Sequence, residues 1–437
     1  MSTETTPQRP PADSGPEERH DSGSLWRNTD FLKLWTGETV SLLGTYVTQL
    51  ALPLIAITLL DATPGQVGTL SAVQFLPVLL ITVFVGRWVD RYRRRPLLIA
   101  ANLARAAALA VVPACWWADG LTMPVLYGVA LTVGTFSALF DVAYLSYLPS
   151  LVPRHHLVAA NSRLQGSYAV AQVGGPGLGG LLIRLVGGPF ALITNVVSYL
   201  FSAVMLLLIR TPEPATAPDG EKTGPEAGLW PSLSLGFTFI WRDRVLRVLT
   251  AKGSWFNLCE QALLTVFLVH AVRELGLSAG PLGLCIGLGS LGAVIGTVLA
   301  RRFGRALGVP GTLFASMACG CAAPALILLA RGAALADLAL ITTAFAVFSI
   351  GFTVFNVYFV TLRQTRTPQD RLGRVTAAYR TVAFGTFPVG AWAGGWLAGQ
   401  LGPYAALAAV CGAFAAGWLV FIATSLRVLR PVTVPLE

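Results

Sequence analysis

Charged side chains are scarce in this chain of 437 residues: Asp, Glu, Lys and Arg make up 12% of it, whereas 54% of its residues are hydrophobic. A water-soluble protein of this size carries about a quarter charged residues. So little charge excludes a water-facing surface over most of the chain. The long apolar runs therefore predict a protein whose main solvent is lipid.

Signals of catalysis and of cofactor binding are also missing. The four histidines lie in tails or at the edges of apolar runs, and no HExxH, GxSxG or GxxxxGK[ST] sequence occurs. The six cysteines lie in apolar runs without metal-ligand spacing, which favours a role as small apolar side chains. We expect no enzyme activity, no cofactor and no metal. Without a nucleotide site, any transport would depend on an ion gradient.

The net charge of +10 is distributed in short basic clusters between apolar runs. Such clusters are typical of membrane-edge anchors, so no nucleic-acid partner is expected. A stretch of about 20 apolar residues spans a bilayer as a helix. Twelve stretches meet this criterion and predict an all-α membrane protein with two six-helix bundles: 31–60, 66–88, 95–117, 122–147, 163–186, 188–209, 245–271, 279–301, 309–331, 335–362, 376–400 and 403–427.

The stretch "TPEPATAPDGEKTGPEAG", residues 211–228, separates the two sets of spans, and its Pro, Gly and charge content is typical of a flexible linker. The predicted organisation is a disordered tail 1–28, a bundle 29–209, a central linker 210–244, a bundle 245–428 and a tail 429–437. Of the 31 Lys and Arg residues, 26 fall on the side of the tails and linker and three on the other. This asymmetry predicts a cell-membrane protein with both termini in the cytoplasm.

The two bundles repeat each other in sequence. A shift of 215 residues aligns Pro153 with Pro368, and it aligns the Gly179–Gly180 pair with Gly394 and Gly395. A shift of 214 aligns the first span of each bundle. A nearly constant offset indicates duplication, which is one route to a transporter with a central binding site.

Several loops and helices carry motifs at matching places in this pattern. "GRWVDRYRRRP" (86–96) joins spans two and three, "GPGLGG" (175–180) lies in span five, and "LPSLVP" and "LRQTRTPQDRLGRV" follow spans four and ten. Over residues 28–428 the chain resembles the major facilitator superfamily, in particular drug:proton antiporters of the enterobactin-exporter-like and macrolide-efflux-like branch.

This resemblance implies a monomeric exporter that exchanges small molecules for protons by alternating access. The implied cargo is hydrophobic or amphipathic: a drug, an antibiotic, a siderophore or a self-made natural product. An importer or facilitator of the same fold is the main alternative, and a non-transporting membrane sensor is a second.

The resemblance also suggests roles for the two main motifs. Gly86, Asp90, Arg91 and Arg94 would form a conformational latch, in which Gly86 permits close helix approach and Asp90 accepts charge-assisted hydrogen bonds. Membrane-edge anchoring would explain the arginines alone. In span five, Gly175, Pro176, Gly179 and Gly180 would form the antiporter motif, which predicts close helix packing and a bend.

Ionisable residues inside spans are functional candidates, because a charge is costly to bury in a membrane. Glu38, Arg105 and Asp141 are predicted to form one cluster, in which Arg105 pairs with one acid and the other can bind a proton. A static ion pair is the alternative. Glu260, near the middle of span seven, is a candidate for binding a proton or a cationic substrate, unless neighbouring amides hold it.

Amides and aromatic residues complete the predicted cavity. Such a lining suits bulky amphipathic molecules better than sugars. The candidates are Tyr46, Gln49, Asn257, Gln261, Asn356 and Tyr358.

Overall fold

A computed structural model describes residues 25–153, 156–213 and 229–429. Residues 1–24 of the predicted N-terminal tail, most of the predicted flexible linker and residues 430–437 of the predicted C-terminal tail lie outside these residues. Twelve α-helices occupy the described part, which holds no β-strand: α1 Thr29–Leu59, α2 Pro64–Arg91, α3 Arg94–Trp117, α4 Met123–Leu151, α5 Leu157–Val186, α6 Gly188–Leu207, α7 Leu229–Arg242, α8 Arg244–Arg273, α9 Ala279–Ala322, α10 Leu335–Arg366, α11 Gln369–Leu401 and α12 Pro403–Leu429.

These helices confirm the predicted all-α membrane architecture. Nine helices of the described part are long and apolar enough to cross a membrane. Helix α9, with 44 residues, contains two spans that meet at Gly308, where the backbone leaves the helical region (φ 65, ψ 175). With α9 counted as two spans and α7 set aside, the helices form twelve spans in two halves, α1–α6 and α8–α12.

The predicted loop between spans eight and nine is much shorter than expected. The first part of α9 continues through residues 302–307, so the turn is confined to Gly308 and its neighbours. Glycine adopts a positive φ without a steric penalty, and no proline interrupts the preceding arginine-rich turn. Several other helices also extend beyond their predicted ends, because hydropathy stops at the first polar residues whereas a helix can continue into water.

The helix α7 was not predicted at all. It lies in the predicted central linker, between residue 228 and the start of α8, and Ile240 packs against Val375 and Ala378 of α11. Three of its apolar side chains are exposed: Leu235, Phe237 and Trp241. Its 14 residues are too few to span a bilayer, which is why a search for spans misses it.

We call the end of the bundle that carries Thr29, α7 and Leu429 the linker face, and the opposite end the far face. The larger apolar core fills the C-terminal half and reaches the far ends of α1, α2 and α4. A smaller core joins the linker ends of α1, α3, α4, α5 and α6. The N-terminal half therefore has its own packed base at the linker face.

Two acids attach the start of the linker to this base. Asp30 accepts hydrogen bonds from Thr211 N at 2.8 Å, Thr211 Oγ1 at 2.6 Å and Arg210 N at 3.1 Å. The Glu213 carboxylate accepts from the first two amides of α3, those of Arg94 at 2.7 Å and Arg95 at 3.2 Å. A carboxylate at a helix N-terminus satisfies free backbone donors and opposes the positive end of the helix dipole.

Candidate functional site

The two halves meet near the far face through two helix crossings, α5 with α9 and α2 with α11. An alanine Cβ at Gly180 would lie 2.3 Å from Ala279 O and 3.2 Å from Gly283 Cα. In the other crossing, an alanine Cβ at Gly68 would lie 2.7 Å from Gly395 Cα. Only hydrogen atoms fit at these positions, so glycine lets the backbones touch.

A cavity of about 220 Å³ lies beneath these crossings, and both halves contribute to it. Helices α1, α2 and α5 form one wall, and α8, α9 and α10 form the other. Phe75, Phe345 and Phe348 provide aromatic surface. Its polar lining consists of Tyr46, Gln49, Ser71, Gln74, Gln172, Glu260, Gln261, Thr265, Ser290 and Ser349. The arrangement can enclose an organic molecule with an apolar body and a few polar groups.

Glu260 is the acid of this cavity. It lies in the middle of α8 with Gln261 beside it in the lining. Among the residues that the structure describes, no cation or hydrogen-bond donor is paired with its carboxylate. An unpaired carboxylate inside a membrane protein is costly, and it can be compensated by a proton or by a bound cation.

The predicted cavity residues divide into two groups. Tyr46, Gln49 and Gln261 line the cavity, as does Pro176 of the span-five motif. The remaining three do not line it. Asn257 Nδ2 donates to Ala383 O of α11 at 3.1 Å, Tyr358 Oη donates to Ala300 O of α9 at 3.0 Å, and Asn356 is exposed on α10.

The span-five motif also divides by partner. Gly175 packs against Tyr46 and Gly179 against Val47, both on α1 of the same half. Gly180 and the carbonyl of Pro176 instead contact α9 of the other half, where an alanine Cβ at Gly283 would lie 2.3 Å from Pro176 O. The motif therefore fixes α5 against α1 and closes the interface at the same time. The helix α5 continues through Pro176 without interruption.

Glu38, Arg105 and Asp141, the three ionisable residues predicted to cluster inside the N-terminal half, lie close together. The ion pair predicted for Arg105 is absent from the described part of the chain. Arg105 donates to Asn102 Oδ1 and, at 3.5 Å, to Ser137 Oγ. Its guanidinium also lies 4.3 Å from the ring centroids of both Phe140 and Tyr199. The expectation that Arg105 forms an ion pair with one acid is wrong for this structure, because neutral and aromatic partners occupy its faces.

Within the described part of the chain, neither acid forms an ion pair with this arginine. One carboxylate oxygen of Glu38 is buried without a hydrogen-bond partner in the described part of the chain. Asp141 of α4 is exposed. Arg105 interacts electrostatically with both acids. Arg380, from α11 of the other half, interacts in the same way with Asp141. Arg380 was not among the predicted site residues, since its position near the linker face resembles an ordinary anchor.

The predicted latch is only partly visible. Gly86, Asp90 and Arg91 lie in the last turns of α2, in a segment whose side chains are outside the described part. Arg94 begins α3, and its amide is held by Glu213 of the same half. A latch formed by these residues stays a prediction.

Long apolar helices in two halves enclose a cavity that both halves line with polar and aromatic side chains, an arrangement typical of membrane transporters. The chain belongs to the Major Facilitator Superfamily, because the sequence profile of that family matches residues 34–390. It is therefore a multi-pass membrane transporter.

Relatives and solved structures agree with this assignment. The uncharacterized MFS-type transporter YfiS of Bacillus subtilis is 27% identical over 89% of this chain and 91% of its own. The multidrug efflux pump Tap of Mycobacterium tuberculosis is 26% identical over 80% of this chain and 83% of its own.

A bacterial homologue of the iron transporter ferroportin, in an inward-facing state, superimposes with a TM-score of 0.72 at 17% identity. That alignment covers 92% of this chain and 99% of the other. The nucleoside transporter NupG superimposes with a TM-score of 0.67 at 12% identity, over 91% of this chain and 99% of the other. At these identities the likeness concerns the fold alone.

Proposed function

We propose that the protein exports hydrophobic or amphipathic small molecules from the cell by exchange with protons, using alternating access. The observation that carries this proposal is the unpaired Glu260 carboxylate in a cavity shared by both halves. A site of this kind binds a proton and a cationic substrate as alternatives, which is what exchange requires. Similarity to the multidrug efflux pump Tap supports the direction of transport.

The donor set of the cavity supports an organic substrate. One carboxylate, several amides and three phenylalanines surround the space. Transition metals are usually bound by imidazole, thiolate or several carboxylates, whereas an amphipathic cation needs aromatic surface and a single negative charge. We therefore infer that the preferred cargo is a hydrophobic cation.

Glu38 and Asp141 are proposed to bind protons in a second site. They lie nearer the linker face than Glu260, and Arg380 of the other half acts on Asp141. Movement of the halves would change the separation of Asp141 and Arg380, and with it the affinity of Asp141 for a proton. The positive-inside asymmetry supports placing the linker face, and both termini, in the cytoplasm. We further propose that the protein works as a monomer.

Everted membrane vesicles from cells without other drug pumps test this proposal. With an imposed proton gradient, the wild-type protein should accumulate a fluorescent hydrophobic cation more strongly than a neutral molecule of similar size. A proton uncoupler should abolish this accumulation. Uptake that persists with the uncoupler would contradict proton exchange, and movement in the opposite direction would favour an importer or facilitator.

Acid-to-amide variants locate the proton sites. Glu260→Gln should lose most coupled accumulation of the cation at normal expression, and Asp141→Asn and Glu38→Gln should lose coupling as well. Glu274→Gln is the matched control, since Glu274 lies at the far end of α8, bound to His270 at 2.6 Å. Wild-type accumulation in all three acid variants would place the proton site elsewhere, and no transport of any compound would favour a sensor.

A further inference from the structure

A second cavity, of about 780 Å³, lies away from the interface between the halves, in a groove between α8 and α12. Helix α12 packs against α8, α9 and α11, which all belong to its own half. Trp255 and Val420 in the wall are 41% and 61% exposed. Exposed apolar side chains on membrane-spanning helices face acyl chains, so the groove opens sideways into the bilayer.

The groove has the depth of one membrane leaflet. On α8 it extends from Arg244, the first residue of the helix, to Trp255. These eleven steps correspond to about 16 Å at ~1.5 Å per residue. Half of a hydrocarbon core is about 15 Å thick. The groove therefore begins at the headgroup level of the linker face and ends near the membrane centre.

The charge of the groove is positive. Arg244 and Arg247 lie at its outer end, Lys252 lies farther in, and the lining residues that the structure describes include no acid. Lys252 is only 5% exposed and has a thiol, Cys321 Sγ at 3.6 Å, as hydrogen-bond partner. The Arg247 guanidinium donates to the backbone oxygen of Trp241 at 3.2 Å. No carboxylate of the described residues forms an ion pair with any of these three cations.

We propose that this groove is a binding site for one acidic phospholipid of the linker-face leaflet. The phosphate lies between Arg244 and Arg247, and an acyl chain follows Val248, Trp255 and Val420 toward the membrane centre. Trp241, 71% exposed beside this outer end, fits the headgroup level, where tryptophan is enriched. Charge complementarity selects the acidic headgroup, since a zwitterionic lipid presents no net charge to the arginines.

The test uses the purified full-length protein in mixed micelles with phosphatidylglycerol or with phosphatidylcholine of the same acyl chains. Native mass spectrometry counts retained lipid, and thermal unfolding measures stabilisation. We expect at least tenfold preference for phosphatidylglycerol. The double variant Arg244→Gln/Arg247→Gln should bind it about thirtyfold more weakly, which corresponds to about 1 kcal/mol for each basic residue beside an anionic headgroup.

Two further variants keep the test decisive. Ala416→Trp fills the deep end of the groove and should reduce binding although the arginines are intact. Arg301→Gln/Arg302→Gln removes an exposed arginine pair of α9 outside the groove and should bind like the wild type.

Soluble glycerol phosphate tests whether the headgroup alone is sufficient for binding. It should give no stabilisation. The proposal is overturned if glycerol phosphate stabilises as well as the lipid, if the α9 control weakens binding equally, or if the groove variants keep the full preference.

Discussion

Replacing Gly180 by alanine should open the interface between the halves at the far face. The added Cβ would lie 2.3 Å from Ala279 O, whereas ordinary contact begins at 3.4 Å, so the two helices must separate by about 1 Å. Overpacking of this kind costs about 1–3 kcal/mol. Because every 1.4 kcal/mol is a factor of ten, the equilibrium should move about 5- to 150-fold toward conformations that are open at the far face.

Spin labels at Asp119 and Leu335 report this opening, because both are exposed at the far face in different halves, Asp119 in the loop between α3 and α4 and Leu335 at the start of α10. In a background without reactive cysteines, electron–electron resonance should show a longer distance population in Gly180→Ala than in the parent protein. Gly177→Ala is the matched control: it lies in the same helix, and an added Cβ there meets nothing within 4 Å. Identical distance distributions for Gly180→Ala and Gly177→Ala would refute the reasoning.

Three other substitutions test single contacts. Asn257→Ala removes the hydrogen bond to Ala383 O and should destabilise the protein by about 1 kcal/mol in thermal unfolding, whereas Asn356→Ala at an exposed site should have almost no effect. Arg105→Lys keeps the charge but loses the planar contacts with two rings, so vesicle transport should fall about tenfold with normal expression; wild-type transport would show that charge alone suffices. Glu213→Ala frees two amides of α3 and should cost about 1 kcal/mol, which limited proteolysis of the linker would detect as faster cleavage; an unchanged rate would contradict this anchoring role.

Apolar length and the basic clusters were sufficient to predict the twelve spans, because bilayer thickness sets the length of a span and the hydrocarbon core excludes charge from it. The same reasoning missed α7, because its 14 residues are too few to span a bilayer and its packing on α11 cannot be read from hydropathy. It also underestimated the length of α9, in which the two spans meet at Gly308 with only a short turn. Local backbone geometry of this kind depends on φ at one residue, which composition does not reveal.

The candidate site was predictable to the extent that charge marks it. Glu260 was identified because an acid in a membrane span is costly, and the structure places it in the cavity wall. The partners of Arg105 were not predictable, because two aromatic rings and an amide compete with the acids only once four helices are packed. Gly68 and Gly283 were also missed, although the 215-residue shift that aligns Gly180 with Gly395 relates them to each other.

Under that shift, the glycines that pack the two halves together are repeated, whereas the ionisable residues are not. Both crossings at the far face consist of residues related by 215: Gly68 corresponds to Gly283, and Gly180 to Gly395. The ionisable residues have diverged. Asp141 corresponds to Asn356 at the same shift, and at a shift of 214 Glu38 corresponds to Lys252 and Glu260 to Tyr46.

A duplicated chain thus keeps a nearly two-fold packing frame while its charges differ on the two sides. A symmetric frame allows the halves to move against each other in equivalent ways. Under the proposed proton exchange, the different acids of the two halves would give the two open conformations different affinities for protons. Glycine and acid substitutions should therefore have different effects. Glycine variants should change which face is open but leave proton binding intact, whereas acid variants should change coupling but leave the packing of the halves intact.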